Sequence, residues 1–209
     1  MSAAVSTDGG EQEGDDIMNI GRILYPVKVL GPGQRLGIWT AGCGRNCPGC
    51  CSPELKYADP GREISVGMLR FLIWDIIKDN PVDGITISGG EPMDQAEELG
   101  DLISILKIWS DDILVYTGYT LEELKARKDP QTDRVLSQIT CLIDGPFQEN
   151  LSDCAPLRGS GNQRILLLDQ KYGPKYRTYL ESADRRDAQI FVTEDGIAMA
   201  GLPMKKPFD

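Results

Sequence analysis

The chain contains no histidine, so the commonest partner of cysteine in zinc sites is missing. Positive charge is also scarce. Lys and Arg number 22 against 32 Asp and Glu, giving a net charge of −10 and a pI near 4.6. That balance argues against nonspecific binding to nucleic acid or to an anionic membrane. No apolar run is long enough to span a bilayer, which takes about 20 residues. The first residues lack the basic, apolar, small-residue order of a secretory signal. Without such a signal, the 6 cysteines point to a reducing cytoplasm, where clustered thiols bind metal or do chemistry. Large apolar side chains are nearly absent from residues 1–16, which read as a disordered acidic tail. Residues 17–209 are expected to form one domain with a single buried core.

The cysteines that are present are concentrated. Cys43, Cys47 and Cys50 stand at Cys-x3-Cys-x2-Cys spacing, directly after the apolar run of residues 36–39. Iron–sulfur clusters are held by thiolates spaced this closely on a loop. A cubane has four irons, so three thiolates leave one iron open to another ligand. Gly42, Gly44 and Gly49 let the backbone bend around a bulky group. A structural zinc site usually shows two distant Cys-x2-Cys pairs, and no second pair exists here. Cys51 follows Cys50 directly and reads as a flanking residue. Cys141, in an apolar strand, reads as a small buried hydrophobe. It makes no cluster motif with Cys154, so no auxiliary cluster is expected.

Strands and helices alternate along the chain. Residues 20–30 read as a cover for one core edge, and residues 35–41 as the first central strand. Ser65 opens a helix with the stripe Leu69, Leu72, Ile73, Ile76 and Ile77, stopped at Pro81. Residues 84–88 form a β-branched strand. Asp94 and Glu97 read as a capping box for a helix with the stripe Leu99, Leu102, Ile103, Leu106 and Trp109. A strand follows at 113–116, then a second capping box at Thr120 and Glu123. Val135 and Leu136 mark a short helix before a strand at 139–143, and residues 165–168 read as another strand. After Asp169 the pattern is less regular, ending in a hairpin with strands at 189–192 and 197–199 and a turn at Asp195 and Gly196. The alternation implies α/β architecture with parallel strands and covering helices. The chain is short for an eight-fold barrel, which takes about 250 residues, so an open, partial βα barrel is expected. The cysteine loop, the segment Ser88-Gly89-Gly90-Glu91-Pro92, the segment from Tyr116 and Thr117 to Tyr119, and Asp144-Gly145 all follow strands. Ligands gather at those ends of such sheets.

The cysteine loop followed by Ser88-Gly-Gly-Glu-Pro92 resembles the radical S-adenosylmethionine (SAM) superfamily. The resemblance implies a 4Fe-4S cluster on Cys43, Cys47 and Cys50, with SAM chelating the open iron. It also implies that Ser88, Gly89, Gly90 and Glu91 bind the SAM amino group, the Glu91 carboxylate making a charge-assisted contact. Many members carry an aromatic residue just before the third cysteine. Gly49 stands there instead, as in the activating enzymes of anaerobic ribonucleotide reductase. The segments around Tyr116, Thr117, Asp144, Arg158, Asn162, Gln163 and Arg164 resemble the same branch. That branch implies reductive SAM cleavage to methionine and a 5′-deoxyadenosyl radical, which takes hydrogen from a glycine of a large partner enzyme. It implies a low-potential electron donor such as a flavodoxin or ferredoxin. Gly49, Cys51, Tyr116, Thr117, Asn162 and Arg164 are the further cofactor-binding candidates, and Arg158, Arg164 and residues 148–155 the candidates for partner docking. Other readings stay open: a radical SAM enzyme acting on another peptide or small molecule, or a non-catalytic iron–sulfur or zinc protein. Glu91 could be a solvated residue in a turn that leads into a helix, and the polar cluster at 158–164 a solvated turn.

Overall fold

A computed structural model describes residues 16–182, 187–193 and 196–201. The expected acidic tail and the Asp195 side of the expected turn lie outside those residues. The strands are β1 (Ile17–Val27), β2 (Arg35–Thr40), β3 (Glu63–Ser65), β4 (Gly84–Gly89), β5 (Ile113–Tyr116), β6 (Cys141–Asp144) and β7 (Arg164–Leu167). They form one sheet in the order β3-β1-β2-β4-β5-β6-β7. The central strands β2, β4, β5 and β6 run parallel, while β1, β3 and β7 pair antiparallel at the margins. The fold is therefore mixed α/β with a mostly parallel centre.

The helices are α1 (Val66–Ile77), α2 (Ala96–Leu106), α3 (Leu121–Ala126), α4 (Pro130–Gln138) and α5 (Gly173–Ser182). Leu69, Ile73, Leu99, Leu102, Ile103 and Leu106 bury completely against Ile38, Ile85, Ile87 and Val115 of the sheet. Each such side chain contributes roughly 1.5–3 kcal/mol of transfer free energy. Ser65 caps α1 by accepting from the Met68 amide, and Thr120 and Glu123 form the expected capping box on α3.

Three details differ from the sequence reading. Leu72 is exposed with Met68, Phe71 and Trp74 on the outer side of α1, because it lies at the margin of the apolar stripe. Asp94 and Glu97 do not cap α2: Pro92 opens a 3-10 turn at Pro92–Gln95, capped by the Glu91 side chain accepting from the Met93 amide. Asp94 instead accepts from the Tyr119 hydroxyl at 2.7 Å and the Gly44 amide at 3.3 Å. Helix α5 lies where no regular element was read; Tyr172, Tyr176, Tyr179 and Leu180 pack along β6 and β7. Two further strands, β8 (Ala188–Thr193) and β9 (Gly196–Gly201), form a separate antiparallel hairpin where one was expected. Among the described residues no helix is long and apolar enough to cross a membrane.

Candidate functional site

The cysteine loop leaves the C-terminal end of β2 and folds back on itself through main-chain bonds. The Gly42 amide donates to the Leu55 carbonyl, Cys43 to Lys56, and Cys50 to Cys47. Asn46 and Gly49 hold left-handed backbone angles, φ 52° and 70°. At Gly49 a Cβ would stand 2.8 Å from the Glu149 carboxylate, so this glycine meets both demands that favour the residue. The loop following β4 packs directly against the cysteine loop. Gly90 donates to the Thr40 carbonyl and Glu91 to the Gly42 carbonyl, both at 2.8 Å. A Cβ on Gly90 would lie 2.2 Å from the Gly42 oxygen. Only glycine permits that approach.

Glu91 joins this contact to the loop after β5. Its carboxylate is buried. Oε1 accepts from the Thr117 hydroxyl at 2.8 Å and the Met93 amide at 3.0 Å, and Oε2 from the Gly118 amide at 2.7 Å. Burial pushes the carboxyl up to about 7, with those three bonds pulling the other way. Arg45, in the cysteine loop, donates to the Gly118 carbonyl and stacks 4.4 Å above the Tyr119 ring. Three chain-distant loops are thereby tied together at one end of the sheet.

They enclose a cavity of about 810 Å³, within the usual range of about 300–1,000 Å³ for ligand sites. Cys43, Cys47, Gly49, Cys50 and Cys51 border it, together with Ser88, Gly89, Gly90, Glu91, Tyr116 and Thr117. All six cysteines are free thiols. The Cys51 thiol, itself raised by its pairing with Cys50 and by burial, hydrogen-bonds Cys50 and holds it below the ordinary thiol range. Burial pushes Cys43 up.

A family model described as a 4Fe-4S single cluster domain matches residues 29–166. The anaerobic ribonucleoside-triphosphate reductase-activating proteins of Salmonella typhi and Escherichia coli (strain K12) are 34% and 33% identical over 150 residues, 68% of this chain and 94% of each relative. That of Enterobacteria phage T4 is 32% identical over 153 residues, 71% of this chain and 93% of its own. The chain belongs to the radical SAM superfamily, in its activating-enzyme branch. It is an enzyme whose cofactors are a 4Fe-4S cluster and SAM.

The site of this radical SAM enzyme fits both groups. Its cysteine thiols border one cavity, and the glycine contact at Gly90 leaves backbone, with no side chain, beside it. Most of the residues expected from the sequence meet there. Asn162 and Arg164 are not among its lining residues. Asn162 donates to the Pro146 carbonyl at 2.7 Å. Arg164 is engaged by Asp144 and by Glu122, the latter at 2.6 and 3.1 Å. Arg158 does line the cavity and pairs with Asp153.

Sequence reasoning passed over Arg22, Phe147, Leu157 and Met199, which also line the cavity. Arg22 lies 5.3 Å from the Trp39 ring and donates to Ser52, both brought together by the fold rather than by spacing. The Glu91 hydrogen-bond set was equally invisible, since Thr117 and Gly118 are about two dozen residues away.

Proposed function

We propose that this enzyme installs a glycyl radical on a large protein partner of the anaerobic ribonucleotide reductase class. When bound, the cluster and SAM supply reductive cleavage to methionine and a 5′-deoxyadenosyl radical, which takes a hydrogen atom from the substrate. The observation that carries the reading is the Gly90–Gly42 contact. It brings the cysteine loop and the Gly-Gly-Glu segment to one cavity wall at the C-terminal ends of parallel strands. The sheet then serves as an open, partial βα barrel, and residues 17–209 act as one domain.

In this reading Cys43, Cys47 and Cys50 hold three irons. Ser88, Gly89, Gly90 and Glu91 receive the SAM amino group. Oε2 of Glu91 accepts one hydrogen bond in the structure and keeps a second lone pair for an ammonium. Thr117 positions the carboxylate, and Gly49, Cys51 and Tyr116 shape the surrounding wall. Excluding water around that site protects a reactive carbon radical. A flavodoxin or ferredoxin is the fitting electron donor.

The test is anaerobic reconstitution with iron, sulfide, SAM and dithionite, with and without the anaerobic reductase of the same organism. A rise in 5′-deoxyadenosine together with a glycyl doublet in the reductase's electron paramagnetic resonance spectrum is expected. SAM cleavage without that doublet, with a crosslinked or epimerised short peptide as product, would overturn the choice of substrate.

A further inference from the structure

The β8–β9 hairpin has two apolar faces, and the described residues cover only one of them. Phe191, Ala198 and Ala200 turn inward onto Leu24, Leu30, Trp39 and Leu55. Gln189 fixes the hairpin to the sheet margin by accepting from the Lys28 amide at 3.0 Å and donating to the Pro26 carbonyl at 2.7 Å. Alternation along each strand sends the remaining side chains to the opposite face. There Ile190 faces Met199 and Val192 faces Ile197 across the ladder. Ile190, Val192 and Ile197 are 69%, 87% and 79% exposed. With the partly buried Met199 these three side chains form a contiguous apolar strip, and such a strip on a protein surface marks an interaction site.

The strip leads into the site. Ile197, Met199 and Gly201 of β9 line the cavity that holds the cysteine loop, while Ile190 and Val192 continue the same face away from it. A substrate glycine can reach the cavity only as part of a polypeptide, and the residues beside that glycine must lie against whatever forms the cavity's rim. We propose that the outer face of the β8–β9 hairpin is the docking strip for the protein substrate, taking an extended apolar segment that flanks the target glycine. This rests on the glycyl-radical reading above. Its chemistry suits an acidic enzyme: the four strip side chains are uncharged, so docking there needs no basic partner. The two-stranded sheet can also extend by main-chain pairing, a common way to capture an extended segment. The exposed side of α1 has the same apolar character but no connection to the cavity.

The experiment uses the reconstituted holoenzyme and the anaerobic reductase of the same organism. Ile190→Asp and Val192→Asp are compared with wild type, with the milder pair Ile190→Thr and Val192→Thr guarding against a failure to fold. Phe71→Asp on α1 is the control surface. Three quantities are read: reductase affinity by anaerobic calorimetry, glycyl-radical yield, and SAM cleavage without reductase. The expected result is at least tenfold weaker reductase binding and a matching loss of radical yield for the strip variants. Iron content and reductase-free SAM cleavage stay at the wild-type level, and Phe71→Asp behaves as wild type. Unchanged affinity in the strip variants overturns the docking strip, as does a loss seen with Phe71→Asp instead. A strip that proves to join two copies of this chain, with dimers lost in the variants and reductase binding kept, overturns it too. A wild-type holoenzyme that neither binds nor activates the reductase overturns the substrate reading itself.

Discussion

Two buried carboxylates, Asp112 and Glu91, lie at opposite ends of the central sheet and are treated in opposite ways. At the N-terminal end Arg35, the first residue of β2, is fully buried beside Asp112, just before β5. Arg35 donates to Thr86 Oγ1 at 2.7 Å, to the Ile85 carbonyl at 2.7 Å and to Asp112 at 3.2 Å. Lys175 and Tyr176 of α5 add bonds to the same carboxylate at 2.7 and 2.8 Å. Burial pushes Asp112 up, but Arg35, Lys175 and Tyr176 together hold it below the usual carboxylate range. Every polar atom there is used internally. At the C-terminal end Asp144 is buried and paired with Arg164, but Glu91, equally buried, has no cation bonded to it among the described residues, and burial wins. Asp112 is neutralised within the fold, and Glu91 is left open to a cation from outside it.

The largest effect that this contrast predicts is chemical and leaves stability alone. Cys47→Ala should abolish cluster assembly and SAM cleavage, since in the proposed reading each thiolate holds one iron. Cys47 is part of a loop and not of the packed core, so the unfolding free energy of the metal-free protein, read by urea titration, should change by no more than about 0.5 kcal/mol. Full iron content with SAM cleavage in this variant would break the assignment of the loop.

The opposite end should respond in the opposite sense. Asp112→Asn leaves Arg35 and Lys175 without their counter-charge, and breaking a buried pair costs about 3–5 kcal/mol. The melting temperature should fall steeply, while protein kept cold still assembles a cluster. Acid should act similarly: a carboxyl held below its ordinary value contributes stability that is lost as pH falls through its folded-state value. A variant with wild-type stability would show that the network is idle.

This contrast also explains what the sequence made legible. Cys43, Cys47, Cys50 and the Gly-Gly-Glu segment are local signals, because ligand spacing on one loop is written in consecutive residues. Arg35 was hidden inside an apolar strand, since nothing nearby shows that its partner lies 77 residues on. Helix α5 was missed for a related reason. Tyr176 and Tyr179, with Tyr172 just before the helix, carry a helical period, but most of the other residues are polar and the apolar stripe is thin. The polar turn at 158–164 offers candidates for the cofactor and for the substrate alike. In three dimensions it divides: Arg158 and Gln163 line the cavity and Arg164 is drawn off by Asp144 and Glu122.

Losing a charge-assisted contact costs about 1.5–3 kcal/mol, so Glu91→Gln should weaken SAM binding at least tenfold at pH 8 while leaving iron content intact. An unchanged dissociation constant would count against Glu91 as the ammonium ligand.

The last effect is the most discriminating, because it separates Glu91 with and without its ligand. Its carboxyl is held at about 7 in the fold against roughly 4.3 in an unfolded chain. Between those values the folded state binds the extra proton, so Glu91 makes stability fall as pH rises through this window. Above pH 7 this loss approaches about 4 kcal/mol, each pK unit being worth about 1.4 kcal/mol. Urea unfolding of the SAM-free protein at pH 5 and pH 8 should therefore show a downward slope that Glu91→Gln flattens. Adding SAM should reverse the trend in wild type only, because an ammonium beside the carboxylate stabilises its ionised form. SAM affinity then strengthens as pH rises through about 7. Identical slopes for wild type and Glu91→Gln, with and without SAM, would mean that this end of the sheet is as self-sufficient as the other.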